Sequence, residues 1–268
     1  MKTLILGANG YLGKVLFSKC NALKEMFIYG TYFNNPSNGL FFLNILDKEA
    51  TRKVIDSFAP DIVVWCLCSA EHEIELSNIG LRNILSLVNP SVRFIYISST
   101  LSQKENQNEE TLSELRTEEM YLANYINGKI LGEELVQSHK NYVIIRPGQI
   151  YGFGQDGAID IRMQRIKNHV KENGNMIRSA NAFVSVIHVN DLVSCIIELF
   201  YSDYTGILCV ASEKAVSYYE FYTFLARQIG IDEEKILPEY SNTLSTYFDT
   251  SKARSIIKTP MRNLDLHL

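Results

Sequence analysis

A tyrosine stands four residues before a lysine in Tyr125-Ile126-Asn127-Gly128-Lys129. On a helix that spacing puts both side chains on one face, one turn apart. A phenol beside an ammonium is a proton donor and acceptor whose pKa the cation lowers. Chemistry of that kind interconverts a ketone and an alcohol. The spacing alone is weak, because a chain of 268 residues with 15 tyrosines and 15 lysines supplies about one by chance. Position gives it weight. An apolar run ends in Ser98-Ser99-Thr100, 26 residues before Tyr125, and Asn78 lies on a helical stretch between two apolar runs. Hydroxyls at the C-terminal edge of a parallel sheet lie where such sheets bind ligands. The plainer alternatives are a solvated helix face for Tyr125 and Lys129, a strand-end cap for Ser99 and a surface polar group for Asn78.

The elements that must position these groups follow from the apolar rhythm. Strand-like runs cover Thr3–Leu6, Phe27–Thr31, Leu40–Leu43, Ile62–Cys66, Arg93–Ser98 and Tyr142–Arg146. Helical stretches Tyr11–Leu23, Lys48–Ser57, Ile74–Val88 and Glu118–His139 lie between them. Apolar strands alternating with helices predict a Rossmann-like, doubly wound parallel α/β sheet covered on both faces. Residues 1–150 form this nucleotide-binding domain, with 183–201 returning to it. Residues 151–268 form mainly a small mixed α/β substrate lobe, with helices over Ile159–Glu172 and Asn190–Phe200 and a capping box at Ser217-Tyr218-Tyr219-Glu220. Ser102–Thr111, rich in Gln, Asn and Glu, reads as a solvated loop.

Gly7-Ala8-Asn9-Gly10-Tyr11-Leu12-Gly13 joins the first strand to the first helix. Glycines there allow close backbone approach to a pyrophosphate, and the helix start supplies aligned N–H groups. The predicted cofactor contacts in this turn are Gly7, Asn9, Gly10, Tyr11, Leu12 and Gly13. Further contacts fall at later strand ends: Tyr32 and Asn34, then Asn44 and Ile45, then Cys66, Leu67 and Cys68, then Pro147, Gln149 and Ile150. Asp47 is placed either for this site or as a helix N-cap. The stretch after the second strand, Tyr32-Phe33-Asn34-Asn35-Pro36-Ser37, has no ribose-binding carboxylate and no Arg or Lys. That favours NADP(H) over NAD(H), with Asn34, Asn35 and Ser37 as partners for a 2′-phosphate.

Net charge is −4 with no basic cluster, which argues against nucleic acid or an anionic membrane as partner. No apolar run is long enough to span a bilayer. The first residues read as a buried strand rather than a signal peptide, and five cysteines without framework spacing read as buried thiols of a cytoplasmic protein. No His/Cys spacing suggests a metal.

In order and spacing the glycine turn, the Ser/Thr after the fifth strand, Tyr125-x-x-x-Lys129 and the helical Asn resemble the extended short-chain dehydrogenase/reductases. Asn141–Gly152, Val186–Leu192, Val216–Phe221 and Phe248–Ala253 resemble later segments of that family, closest to its dTDP-4-dehydrorhamnose reductase-like branch. The resemblance covers nearly the whole chain. It implies an NAD(P)-dependent enzyme acting on a keto sugar nucleotide. Tyr125 would then exchange the proton. Lys129 would lower the Tyr125 pKa and hold the nicotinamide ribose. Ser99, or Thr100 if the register slips, would hold the substrate oxygen, and Asn78 would support Lys129. Substrate contacts would come from Ser99, Tyr151, Phe153, Arg162 and Arg178. In this family Ile74–Val88 and Glu118–His139 would be the natural faces of a homodimer, and the reductase branch can instead dimerise elsewhere.

The chain departs from the branch after the fifth strand, where Leu101-Ser102-Gln103-Lys104 replaces an Asp, aromatics and a glycine. It departs again at Ser241-Asn242-Thr243-Leu244, where an Arg-Pro is absent. These departures leave the sugar nucleotide open. The alternatives are an NAD-dependent epimerase of the same family and a nucleotide-binding regulatory subunit without catalysis.

Overall fold

A computed structural model of the chain describes residues 1–23 and 25–265; the last three residues of the predicted substrate lobe lie outside these. The N-terminal apolar run forms β1 (Lys2–Leu6), buried from Thr3 onward. It is followed by α1 (Tyr11–Asn21), β2 (Phe27–Tyr32), β3 (Leu40–Phe42), α2 (Lys48–Phe58) and β4 (Ile62–Trp65). The stretch predicted as one helix over Ile74–Val88 is broken. It runs through α3 (Glu73–Glu75), a π-helix (Leu76–Leu81) and α4 (Arg82–Leu85). Then come β5 (Arg93–Ile97), α5 (Ala123–Val136) and β6 (Tyr142–Pro147).

The second half builds β7 (Gln149–Tyr151), α6 (Ile161–Asn173), β8 (Met176–Ser179), β9 (Phe183–Val184), β10 (Val186–His188) and α7 (Val189–Leu199). It ends with β11 (Gly206–Val210), β12 (Val216–Ser217), α8 (Tyr218–Gln228), β13 (Ile236–Glu239) and α9 (Ser251–Ile256).

Seven strands form one parallel sheet in the order β11-β6-β5-β4-β1-β2-β3. The order reverses between β1 and β4, and in such sheets ligands bind at that crevice. Alternate strand residues point to opposite faces. Ile5, Val64, Ile95 and Ile145 pack on one face with Leu16 of α1 and with Leu192 and Ile196 of α7. Leu4, Val63, Phe94 and Ile144 pack on the other with Ile55 of α2, Ile84 of α4 and Val136 of α5. A separate core in the lobe joins Met163 and Ile166 of α6 to Phe221 and Leu225 of α8. The return to the sheet extends beyond residue 201: β11 adds an edge strand, and Ala253 of α9 joins the α1/α7 core.

Several local expectations change. The helix predicted from Glu118 begins at Ala123, because its N-cap Leu122 takes a left-handed φ of 57° and is held there by packing with Leu101, Ile126 and Ile130. The predicted solvated loop is partly interior. Gln107 is buried, and its backbone exchanges hydrogen bonds with Tyr247 (2.8 Å) and Asp249 (2.7 Å). Its side chain donates to the Lys104 carbonyl at 2.7 Å, so a polar residue is buried with its needs met. Asp47 is the N-cap of α2, accepting from Glu49 and Ala50. The capping box at Ser217 and Glu220 forms as predicted.

The approach of α3 to α5 depends on Gly128. A Cβ there would lie 2.4 Å from the Glu73 carbonyl carbon and 2.5 Å from the Ile74 nitrogen, both backbone atoms. Gly128→Ala therefore pushes the two helices apart. We expect a loss of about 1–3 kcal/mol, seen as a lower midpoint in thermal or denaturant unfolding; an unchanged midpoint would show that the contact carries no strain.

Candidate active site

A cavity of about 350 Å³ opens at the C-terminal ends of the strands. Gly10, Tyr11 and Leu12 reach it from the glycine turn, and Cys66, Leu67 and Cys68 from the end of β4. Ser98, Ser99 and Thr100 come from the end of β5, Tyr125 and Lys129 from α5, and Pro147, Gln149 and Ile150 from the β6–β7 corner. Asp160, Ile161 and Arg162 close it from the start of α6.

The glycine turn is compact. Gly10 N–H donates to Gly7 O at 3.0 Å, and a Cβ on Gly13 would sit 2.1 Å from that same oxygen. Asn9 Nδ2 donates to Asn34 O, which ties the turn to the end of β2. No side chain caps α1, so the helix start at Gly10 offers its first N–H groups beside the cavity. A backbone cradle at a helix start suits a pyrophosphate. Tyr32, half-buried against the edge of Phe42, stands at the end of β2 beside exposed Asn34. Asn44 folds on itself, its Oδ1 accepting from Leu46 N at 3.1 Å. The Ile45 side chain is in the core against Gly80, and its carbonyl accepts from Asn83.

Tyr125 and Ser99 stand side by side on the cavity wall, and the Ser99 hydroxyl favours the tyrosinate. Burial raises the Tyr125 pKa above the usual phenol value, and the pull of Lys129 does not overcome it. Lys129 lowers it as expected, by less than burial raises it. At neutral pH Tyr125 carries its proton, as a donor must.

Lys129 is buried, with its Nζ 2.9 Å from Glu73 Oε1, 3.0 Å from Ile97 O and 3.2 Å from Leu67 O. Burial opposes its charge, yet Tyr96, Glu73, Tyr125 and Cys68 beside it lift its pKa well above the usual lysine value. Its hydrogen bonds go to the two strand-end carbonyls, and Glu73 meets it as an ion pair.

Asn78 makes no direct hydrogen bond to Lys129. It is exposed, and its Oδ1 accepts from Arg82 at 3.2 Å. The side that faces α5 carries Glu73 and Ser77, whose Oγ donates to Gly128 O at 2.8 Å. Adjacent helical residues point about 100° apart, so a choice of Asn78 over Ser77 picks the wrong face.

A second buried pair lies one turn further along α5. Arg146 of β6 grips Glu133 through Nε at 3.0 Å and Nη2 at 2.7 Å, and Ser98 Oγ donates to Glu133 Oε1 at 2.5 Å. Arg146 Nη1 also donates to Thr111 O at 3.2 Å, pinning the loop that follows Ser99 and Thr100. Motif reading missed both carboxylates. The available signal was a charged residue inside the apolar run Tyr142–Pro147, which requires a buried partner.

Among the predicted substrate residues, Arg162 borders the cavity, held by Gln149 Oε1 at 2.9 Å and Ile150 O at 2.8 Å. Three others are placed elsewhere. Tyr151 is buried in the lobe core, edge-on to Phe221, Phe224 and His188. Arg178 stacks over Tyr222 of α8 at 4.2 Å. Phe153 follows β7 and is 41 % exposed, outside the cavity lining. The alternation of β7 and β8 turns Tyr151 and Arg178 toward α8 instead of the cleft. His188 caps α7 by accepting from Asn190 N at 3.2 Å. Asp191, in the first turn of α7, pairs with Arg262 at 2.6 Å. Among the described residues no group of three or more His, Cys, Asp or Glu converges as a metal site, and no helix is long and apolar enough to cross a membrane.

The sequence matches the model of the NAD dependent epimerase/dehydratase family over residues 3–204. Among solved structures, the chain is similar to a hypothetical dTDP-4-dehydrorhamnose reductase from Sulfolobus tokodaii, at 22% identity and a TM-score of 0.78, covering 99% of this chain and 98% of that one. It is similar to the Bacillus anthracis dTDP-4-dehydrorhamnose reductase in complex with NADP, at 22% identity and a TM-score of 0.77, covering 98% and 95%. The Bordetella bronchiseptica enzyme WbmH in complex with NAD+ aligns at 15% identity and a TM-score of 0.79, covering 99% and 94%. At these identities the structural likenesses establish the fold alone. No curated protein sequence matches the chain.

The Glu133–Arg146 pair is the stability test of the site. Glu133→Ala strands a buried guanidinium and should cost about 3–5 kcal/mol in denaturant unfolding. The double variant Glu133→Leu/Arg146→Met should lose clearly less, since no buried charge is left unpaired. Equal losses would contradict the pairing.

Proposed function

The chain belongs to the NAD dependent epimerase/dehydratase family, and on that premise we propose that it is a cytoplasmic, NADP(H)-dependent reductase of a keto sugar nucleotide. One observation carries the reading: Tyr125, with Ser99 and Lys129, borders the same cavity as the glycine-turn residues Gly10, Tyr11 and Leu12. A bound nicotinamide supplies the hydride for the carbonyl carbon. Tyr125 donates its hydroxyl proton to the carbonyl oxygen, and Ser99 donates a hydrogen bond where negative charge grows. Lys129 steadies the tyrosinate left behind until solvent reprotonates it. Arg162 borders the cavity as a cation for a diphosphate.

The NADP(H) preference rests on the acid-free end of β2. Lys14 adds support, since it lines a cavity of about 320 Å³ together with Ser37 and Asn38 of the following loop. The NADP bound to the Bacillus anthracis reductase agrees with this choice. A homodimer through the α3–π–α4 face, where Ile74 and Ile79 are exposed, belongs to the same reading; a monomer mass in solution would remove that part.

Screening NADPH oxidation against a panel of 4-keto sugar nucleotides tests the activity, with NADPH expected to bind more tightly than NADH. Stoichiometric NAD+ retained through purification would favour the epimerase alternative instead. Tyr125→Phe should lower kcat by about 10²–10⁴-fold while NADPH still binds, and unchanged turnover would sink the mechanism. The pH dependence follows from the raised Tyr125 pKa. Reduction needs the phenol, so its rate should be flat through neutral pH and fall only in the alkaline range. Alcohol oxidation needs the tyrosinate and should gain over that same range. A reduction rate that already declines near neutral pH would contradict the assignment.

A further inference from the structure

No motif points to Glu73, yet it is the fully buried carboxylate of the site. Its Oε2 accepts from Ser69 N–H at 2.7 Å, which fixes the carboxylate, and its Oε1 meets Lys129 Nζ at 2.9 Å. Gly128 lets the Glu73 backbone approach α5 closely enough for this contact. The titratable groups around the ammonium come from every side. They are Tyr96 on β5, Glu73 on α3, Tyr125 on its own helix and Cys68 after β4. Glu133, one turn along, is held by Arg146. Among the groups facing Lys129, Glu73 is therefore the one carboxylate. Without it the ammonium would keep only the Ile97 and Leu67 carbonyls in a dry site, where burial favours the neutral amine.

We propose that Glu73 is the positioning residue of the Tyr125–Lys129 pair, holding the lysine charged and fixed so that its effect on the reaction passes through Tyr125. The inference rests on the catalytic reading of Tyr125 and Lys129 given above. Removing the carboxylate while keeping its shape has one direction of effect. Lys129 then loses its proton at lower pH. The cation that steadies the tyrosinate left by Tyr125 is lost at that same lower pH.

The test compares the parent with Glu73→Gln by NMR of ¹³C-labelled lysine ε-carbons, with the Lys129 signal identified by its loss in Lys129→Arg. The parent signal should show a charged amine to the alkaline limit of the folded protein. In Glu73→Gln its midpoint should fall by about one pH unit or more, and the alkaline limb of NADPH oxidation should move the same way. If Glu73→Gln does not fold, Glu73→Asp, which withdraws the carboxylate by one methylene, should show a smaller fall in the same direction. An identical Lys129 titration in parent and variant, with lower thermal stability alone, would overturn the proposal. The NMR arm needs no substrate. Failure to turn over any keto sugar nucleotide would therefore count against the proposed activity and leave the result on Glu73 standing.

Discussion

A buried ammonium is the constraint around which this site is arranged. Lys129 is 1 % exposed, and an isolated charge at that depth would cost far more than a folded domain can spare. The chain meets the demand from three elements at once. The end of β4 offers the Leu67 carbonyl, the end of β5 offers the Ile97 carbonyl, and α3 offers the Glu73 carboxylate. Strand ends and a helix must therefore converge on one atom, and Gly128 exists where their backbones would otherwise collide. Tyr125 then sits one turn away, its ring centroid 5.9 Å from the ammonium.

The second buried pair repeats the arrangement further along α5. Glu133 and Arg146 couple that helix to β6, to Ser98 and to the loop backbone at Thr111. The same loop is joined to the C-terminal segment through Gln107. The stretch after Ser99 is thus braced from the sheet and from the lobe. The loop that departs from the reductase branch in sequence packs on α5 through Leu101, against Ile126 and Ile130. In the proposed reading α5 and the strand ends supply the proton chemistry, and the start of α6 borders the cavity through Asp160, Ile161 and Arg162.

Much of the architecture was legible because its signals are periodic. Buried parallel strands read as continuous apolar runs, and the glycine turn lies between a strand and a helix as it must. Spacing and strand-end position constrain Tyr125, Lys129 and Ser99 together, and the three line one cavity. Asn78 was misplaced because helical phase is not marked by composition, and the π-helix after Glu75 breaks the regular phase as well. Glu73 and Glu133 look like any surface acid in sequence; only the tertiary fold shows that each faces a buried cation. Tyr151 and Arg178 failed for the opposite reason. Their types suit ligand binding, but strand alternation turned them into the lobe core and onto Tyr222.

The central claim is that a hydride reaches a sugar carbonyl beside Tyr125. It is tested most directly by turnover with NADPH deuterated at the transferable position of the nicotinamide, using a keto sugar nucleotide as acceptor. Mass spectrometry and NMR then locate the label. The account predicts deuterium bonded to the former carbonyl carbon of the product sugar, with its oxygen now a hydroxyl. An isomerised sugar nucleotide free of deuterium, formed without net NADPH consumption, would contradict it.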